Sequence, residues 1–129
     1  MAERRMFAKK VVDSDAFLDM PASAQNLYFH LGMRSDDDGF INSPQRIRKI
    51  CGASNKDLKM LIDNELLIEM EGGIMVIRHW HMNNQIRKDR YTPTQYSAMK
   101  KTLSVTKEGI YIPKPQKLDE KLPTTDDEL

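Results

Sequence analysis

The chain has 129 residues, of which 40% are hydrophobic and 30% charged, with a net charge of +1. That is enough for one domain with a true core plus a short tail, and it is ordinary for a soluble globular protein. The apolar runs are too short to cross a bilayer, the basic N-terminus lacks the apolar stretch of a secretory signal, and the lone Cys51 cannot form an intrachain disulfide, so a reducing cytoplasm is the expected location.

Met6 to Val12 reads as a short strand or extended arm, and Asp13-Ser14-Asp15 offers caps for one helical turn through Leu18. Pro21 stands where a helix can begin. Ala24, Leu27, Tyr28 and Leu31 follow at helical spacing and give that helix one apolar face. It must stop near Met33, because Ser35-Asp36-Asp37-Asp38-Gly39 is turn chemistry. Phe40-Ile41 is apolar and fits a strand of a few residues.

Ser43-Pro44 predicts the next helix start, with Ile47, Ile50 and Cys51 on its apolar face and Gly52 as its stop. Ser54 with Asp57 resembles a capping box that opens a further helix, whose apolar face carries Leu58, Leu61 and Ile62 and whose period runs on to Leu66. The pair is a helix-turn-helix. Leu67–Glu71 and Ile74–Trp80, separated by Gly72-Gly73, read as a tight β-hairpin, since both turn positions need positive φ. Thr94 is placed to cap a helix through Leu103.

The fold class this predicts is α+β, mainly α: a winged helix-turn-helix with an N-terminal arm and a C-terminal helix. Residues 1–20 form the arm and its short helix, residues 21–103 the winged-helix DNA-binding domain, and residues 104–129 a polar, acidic tail or linker expected to be disordered.

The distribution of charge says more than its sum. Arg46 to Lys59 carries a local net of +4, Arg78 to Lys101 a net of +5, and Tyr111 to Leu129 a net of −2. Such runs are equally the composition of a solvated face. As a nucleic-acid surface, the third helix would present Asn55, Lys56 and Lys59 to the major groove. Arg46, Arg48 and Lys49 on the preceding helix, and Arg87, Lys88 and Arg90 beside the wing, would hold phosphates. The wing tip, with Glu69 and Glu71, is a poor wedge for a groove.

Other chemistry finds little support. In an EF-hand register the Asp36-Asp37-Asp38-Gly39 run would put Arg34 at the first ligand position and Gln45 at the twelfth, so a turn held by its own carboxylates is the better account. His79, His81 and Cys51 do not have a zinc spacing. No nucleophile–base pair, paired-acid site or Gly-rich phosphate loop is present. The expectation is a protein that is not an enzyme and needs no metal or cofactor.

Three stretches also carry a resemblance. They are Arg4-Arg5-Met6-Phe7 with Asp13–Leu18, Ala24–Leu31 through Asp36-Asp37-Asp38-Gly39-Phe40, and Ile86-Arg87-Lys88-Asp89-Arg90-Tyr91. Together they resemble the N-terminal domain of replisome organisers from phages and prophages of Gram-positive bacteria, a domain related to the DnaD-type winged helix. The resemblance runs from about Met1 to Leu103. It implies a role in starting phage DNA replication in the bacterial cytoplasm: binding double-stranded origin DNA, self-associating as a homodimer or larger oligomer, and recruiting a helicase or helicase loader, with no membrane partner. Members of that family usually continue into a C-terminal region that binds DNA or the loader, whereas this sequence ends in an acidic stretch. Two alternatives stand beside this reading, a protein–protein adaptor for helicase loading with little DNA contact and a phage transcriptional repressor.

Overall fold

The structure is a computed structural model and describes residues 2–114. The chain opens as an extended arm and then makes two single-turn helices, α1 (Lys9–Val12) and α2 (Asp15–Leu18). The arm is therefore extended only up to Ala8. From Lys9 onward the expected strand is helical, which turns Val11 into the core and leaves Lys9 and Lys10 in water. Ser14 caps α2 as its sequence suggests, accepting from the Phe17 N–H at 3.3 Å.

Helix α3 (Ala22–Arg34) follows Pro21, which sits at the cap position just outside it. Ala24, Leu27, Tyr28 and Leu31 are wholly buried along its inner face. Phe7 of the arm lies directly on Gly32, where an added Cβ would come within 2.5 Å of the phenyl ring. Phe7, Phe17, Tyr28 and Phe29 then pack ring against ring, at centroid distances of 5.0 to 6.0 Å. This cluster fixes the arm and α2 against α3.

Strand β1 (Phe40–Ile41) leads to α4 (Pro44–Ile50) and α5 (Asn55–Asp63). Strands β2 (Leu67–Glu69) and β3 (Met75–Ile77) form a hairpin, and β1 joins it to give an antiparallel sheet in the order β1-β3-β2. Phe40 faces Val76 and Leu67 faces Ile77 across the ladders. The glycines both have positive φ, 67° and 80°, as the sequence requires. The connection is longer than a two-residue turn, however. Glu71–Gly73 winds into one 3-10 turn, because the Ile74 N–H bonds back to the Glu71 carbonyl.

Beyond β3 lie α6 (Trp80–Asn83), α7 (Ser97–Lys100) and a second hairpin, β4 (Leu103–Val105) with β5 (Tyr111–Pro113). Among the described residues the fold is a mainly helical α+β domain of seven helices and two small antiparallel sheets. None of those helices is long and apolar enough to cross a membrane.

Three sequence expectations change here. The C-terminal helix is a single turn at Ser97–Lys100, and Thr94 does not cap it but is buried in the loop before it. Residues 103–113, split by the expected boundary at residue 103, form a hairpin instead, held by Tyr111, which is 1% exposed. The rest of the expected tail, residues 115–129, lies outside the described residues. On α4, Ile47 is buried but Ile50 is 53% exposed, so the apolar stripe is narrower than the spacing suggests.

Candidate functional site

The α4–α5 pair is built around the start of α5. The Ser54 hydroxyl accepts from the Asp57 N–H at 3.1 Å, and the Asp57 carboxylate accepts from the Ser54 N–H at 2.9 Å, completing the capping box. Ser23 of α3 donates to the other Asp57 oxygen at 3.0 Å, which ties this helix end to the core. The hydrogen bond from the Ser54 backbone, more than anything else, lowers the pKa of Asp57. With Leu58 and Leu61 buried, Asn55, Lys56 and Lys59 face solvent.

The residues expected to contact DNA differ in how free they are. Arg48 is partly committed to the fold: its guanidinium donates to the Ala53 carbonyl and to Gln45, both at 2.9 Å, and so braces the α4–α5 turn. Gln45 in turn donates to Asn55 Oδ1 at 2.8 Å. Two-pronged pairing of Asn55 with adenine would require that exposed bond to be exchanged. Lys59 pairs with Asp63 at 3.3 Å, one turn along α5, with both side chains mostly in water. Arg46, Lys49 and Lys56 are exposed and have no carboxylate partner among the described residues.

The acidic turn gathers partners from distant parts of the chain. Asp36 accepts from the N–H groups of Asp38 and Phe40, both at 2.9 Å, as a turn carboxylate should. Its neighbours reach much further. Asp37 accepts from Arg5 at 3.1 Å, from the Ala2 N–H at 3.2 Å and from the Thr92 N–H at 3.0 Å. Asp38 accepts from the Tyr91 hydroxyl at 2.7 Å, the Thr94 N–H at 2.8 Å and Lys100 at 3.0 Å. The backbone of the turn takes part too: Trp80 Nε1–H donates to the Asp37 carbonyl and the Tyr111 hydroxyl to the Asp38 carbonyl. Gly39, at φ 87°, lets the Trp80 ring lie flat on the chain.

Several ionisation states follow from this packing. Burial raises the pKa of Tyr91 and so does its bond to Asp38, while burial alone is the main reason Tyr111 is raised. Lys100 is raised overall; burial works against its charge, but the bonds to Asp38 and Tyr91 outweigh it. Burial lowers the pKa of both His79 and His81. Tyr111 gives its only hydroxyl proton to Asp38, so the 3.1 Å contact with His81 must be donated by His81 Nε2–H.

The stretch Arg87-Lys88-Asp89-Arg90 is a turn, and all four residues are exposed. Its flanks bind the arm and the acidic turn. Asn84 accepts from the Met6 N–H and Asn83 from the Ala8 N–H, both at 2.8 Å, and Tyr91 and Thr92 hold Asp38 and Asp37. The Ile77 N–H of β3 donates to the Gly39 carbonyl of the acidic turn at 2.9 Å, and α5 lies near Glu69 and Met75. Arg87 and Arg90 lie near the arm residues Ala2 to Met6. Asp36, Asp37, Asp38, Arg5, Thr94, Lys100 and Tyr111 work as one unit that sequence reasoning did not assemble.

Among the described residues no group of three or more His, Cys, Asp or Glu side chains is arranged to hold a metal ion. The three carboxylates of the acidic turn are occupied by protein donors. Cys51 is half-buried, with its Sγ against the Arg48 carbonyl at 3.6 Å. No protein-family model, curated protein or solved structure matches the chain.

Proposed function

We infer that residues 22–77 are a winged helix that binds duplex DNA, and that the protein acts in the initiation of phage DNA replication. In this reading α5 enters the major groove, α4 lies across the backbone, and Arg46, Lys49 and Lys56 are the cations free to meet phosphates. The observation that carries it is the α4–α5 surface: a helix whose N-terminal end is fixed by Asp57 to both Ser54 and Ser23 while Asn55, Lys56 and Lys59 stay in water. The order helix, strand, helix, helix, hairpin with β1 on the hairpin's edge supports the winged-helix assignment.

The replication role rests on the resemblance of three separated stretches. Its support is that Arg5 from the first stretch binds Asp37 of the second, and Tyr91 at the end of the third binds Asp38 beside it.

The test is fluorescence anisotropy with a labelled duplex from the neighbouring replication region and a scrambled duplex, titrated across salt. Each phosphate contact adds roughly −0.9 to the slope of log affinity against log salt. The expected outcome is a slope worth several contacts, a preference for the native duplex, and a large loss of affinity in the Lys56→Glu/Lys59→Glu variant. Absence of binding to either duplex at low salt overturns the reading. It would favour the adaptor function instead, for which the acidic wing tip and the exposed Ile50 already offer a surface.

A further inference from the structure

The N-terminal arm and residues 84–90 form the two walls of an open groove of about 960 Å³. Arg4 stands on one wall and Arg87 and Arg90 on the other, more than eighty residues away in sequence. Arg4 and Arg90 have no carboxylate partner among the described residues. Arg87 pairs with Asp89 at 3.2 Å, but both are mostly in water and the pair is easily exchanged. Glu3 and Asp89 are the acids of the lining, so the cations predominate. Two buried N–H donors of the lining residues, Arg5 Nε and Asn84 Nδ2, have no acceptor among the described residues.

The groove is not purely polar. Met6, 56% exposed, and the half-buried Ile86 give it an apolar surface between the arginines. The arm wall is rigid, because Phe7 is locked on Gly32 and the Met6 and Ala8 N–H groups are held by Asn84 and Asn83.

We propose that this groove is a second nucleic-acid site, and that it takes a single strand. An intact duplex reaches a protein through its grooves and outer backbone, so it suits a projecting helix such as α5. A concave cleft with arginines on both walls and an apolar surface between them suits a flexible strand, whose phosphates meet the guanidinium groups while its bases lie on apolar side chains and guanidinium planes. The groove is separate from the α4–α5 surface, so one copy can hold a duplex with one end and a parted strand with the other. The proposal shares with the previous section only the class of ligand, since the two sites have no residue in common.

The experiment compares the Arg4→Glu/Arg90→Glu variant with wild type, using fluorescein-labelled oligothymidine and a labelled duplex, with Lys56→Glu/Lys59→Glu measured in parallel. Neither Arg4 nor Arg90 carries an ion pair among the described residues, and circular dichroism checks that the variant is folded; Arg4→Gln/Arg90→Gln replaces it if it is not. The expected result is about a tenfold or greater loss of affinity for oligothymidine, with duplex affinity within about twofold of wild type, as loss of backbone contacts at one site alone requires. Equal loss on both probes, no loss on oligothymidine, or wild-type binding to polyglutamate but not to oligothymidine would each overturn the proposal. If Lys56→Glu/Lys59→Glu leaves duplex binding intact while the arginine variant behaves as expected, the α5 reading fails and the groove stands.

Discussion

Arg5 Nη2 lies 3.1 Å from Asp37 Oδ1, and both side chains are almost completely withdrawn from water, at 2% and 0% exposure. Arg5 also donates to the Ser35 carbonyl at 2.9 Å, and its guanidinium carbon lies 5.2 Å from the centre of the Trp80 ring. The arginine is therefore held by charge, hydrogen bond and aromatic face together.

Removing one member of a buried pair leaves the other charge without compensation. Arg5→Ala should lower stability by about 3–5 kcal/mol, whereas Arg4→Ala, one residue away and exposed, should stay within about 0.5 kcal/mol of wild type. Urea denaturation followed by the single tryptophan gives both values. Equal effects of the two substitutions would mean that the Arg5 pair does not hold the arm.

Gly39 and Gly52 separate two effects that usually come mixed. Both have positive φ, 87° and 74°, but only at Gly39 would a Cβ meet another group, within 2.7 Å of the Trp80 ring. Gly52→Ala should cost about 1–2 kcal/mol from backbone strain alone, and Gly39→Ala about 2–5 kcal/mol from strain plus overpacking. Gly39→Ala should also change the near-ultraviolet signal of Trp80, and Gly52→Ala should not. A Gly39→Ala variant with wild-type stability would contradict the close approach of the indole.

The end of α5 should show graded losses. Ser54→Ala removes one cap bond and should cost about 1 kcal/mol. Asp57→Ala removes its own half of the box and the link to Ser23, and should cost about 2 kcal/mol. Thermal melts decide the order, and a reversed order would argue against the bridge from α3.

Stability should fall with pH in two windows. Burial lowers the pKa of His79 and His81 below the ordinary value of 6.5, so as pH drops the unfolded chain takes up protons first. Their contribution is complete above that value and is lost as pH falls through the folded-state values. Asp57 acts lower: it is held below 3.8, so its contribution is present above that pH and disappears as pH falls through its folded value. Urea midpoints across this range should show both declines, and His79→Gln/His81→Gln should flatten the upper one. An unchanged upper slope in that variant would show that the imidazoles are not the source.

What the sequence made legible was local. Proline and serine at helix starts, a glycine stop, a capping box and a Gly-Gly turn act within a few residues, and α3, α4, α5 and the β2–β3 hairpin all form where those signals place them. The acidic turn could be read as a turn for the same reason. Its long-range partners could not be read, because Arg5, Thr92, Thr94 and Lys100 look like ordinary polar residues until the chain has folded, and Ala2 takes part only through its backbone N–H. Thr94 has the local features of a helix cap, and only the competing contact with Asp36 and Asp38 takes it elsewhere. The second hairpin has strands too short to give a period; Tyr111, buried through its bond to Asp38, carries its position. At the candidate site, charge could be counted in advance, but which cations are committed could not. Arg48 differs from Arg46 by reaching the Ala53 carbonyl and Gln45.

The acidic turn also governs when the molecule can be finished. A ribosome delivers Asp38 long before Tyr91, Thr94, Lys100 and Tyr111, and until those arrive its carboxylate has water as its main partner. The helices between can form as they emerge, since their contacts are near in sequence, but closure of the turn over Trp80 depends on contacts of high sequence separation and comes last. A fragment stopped at residue 103 would lack the Tyr111 anchor and leave Trp80 under a loosened clasp, and a fragment begun at residue 21 would leave Asp37 without Arg5. The arm and β5 are fastened at the same knot.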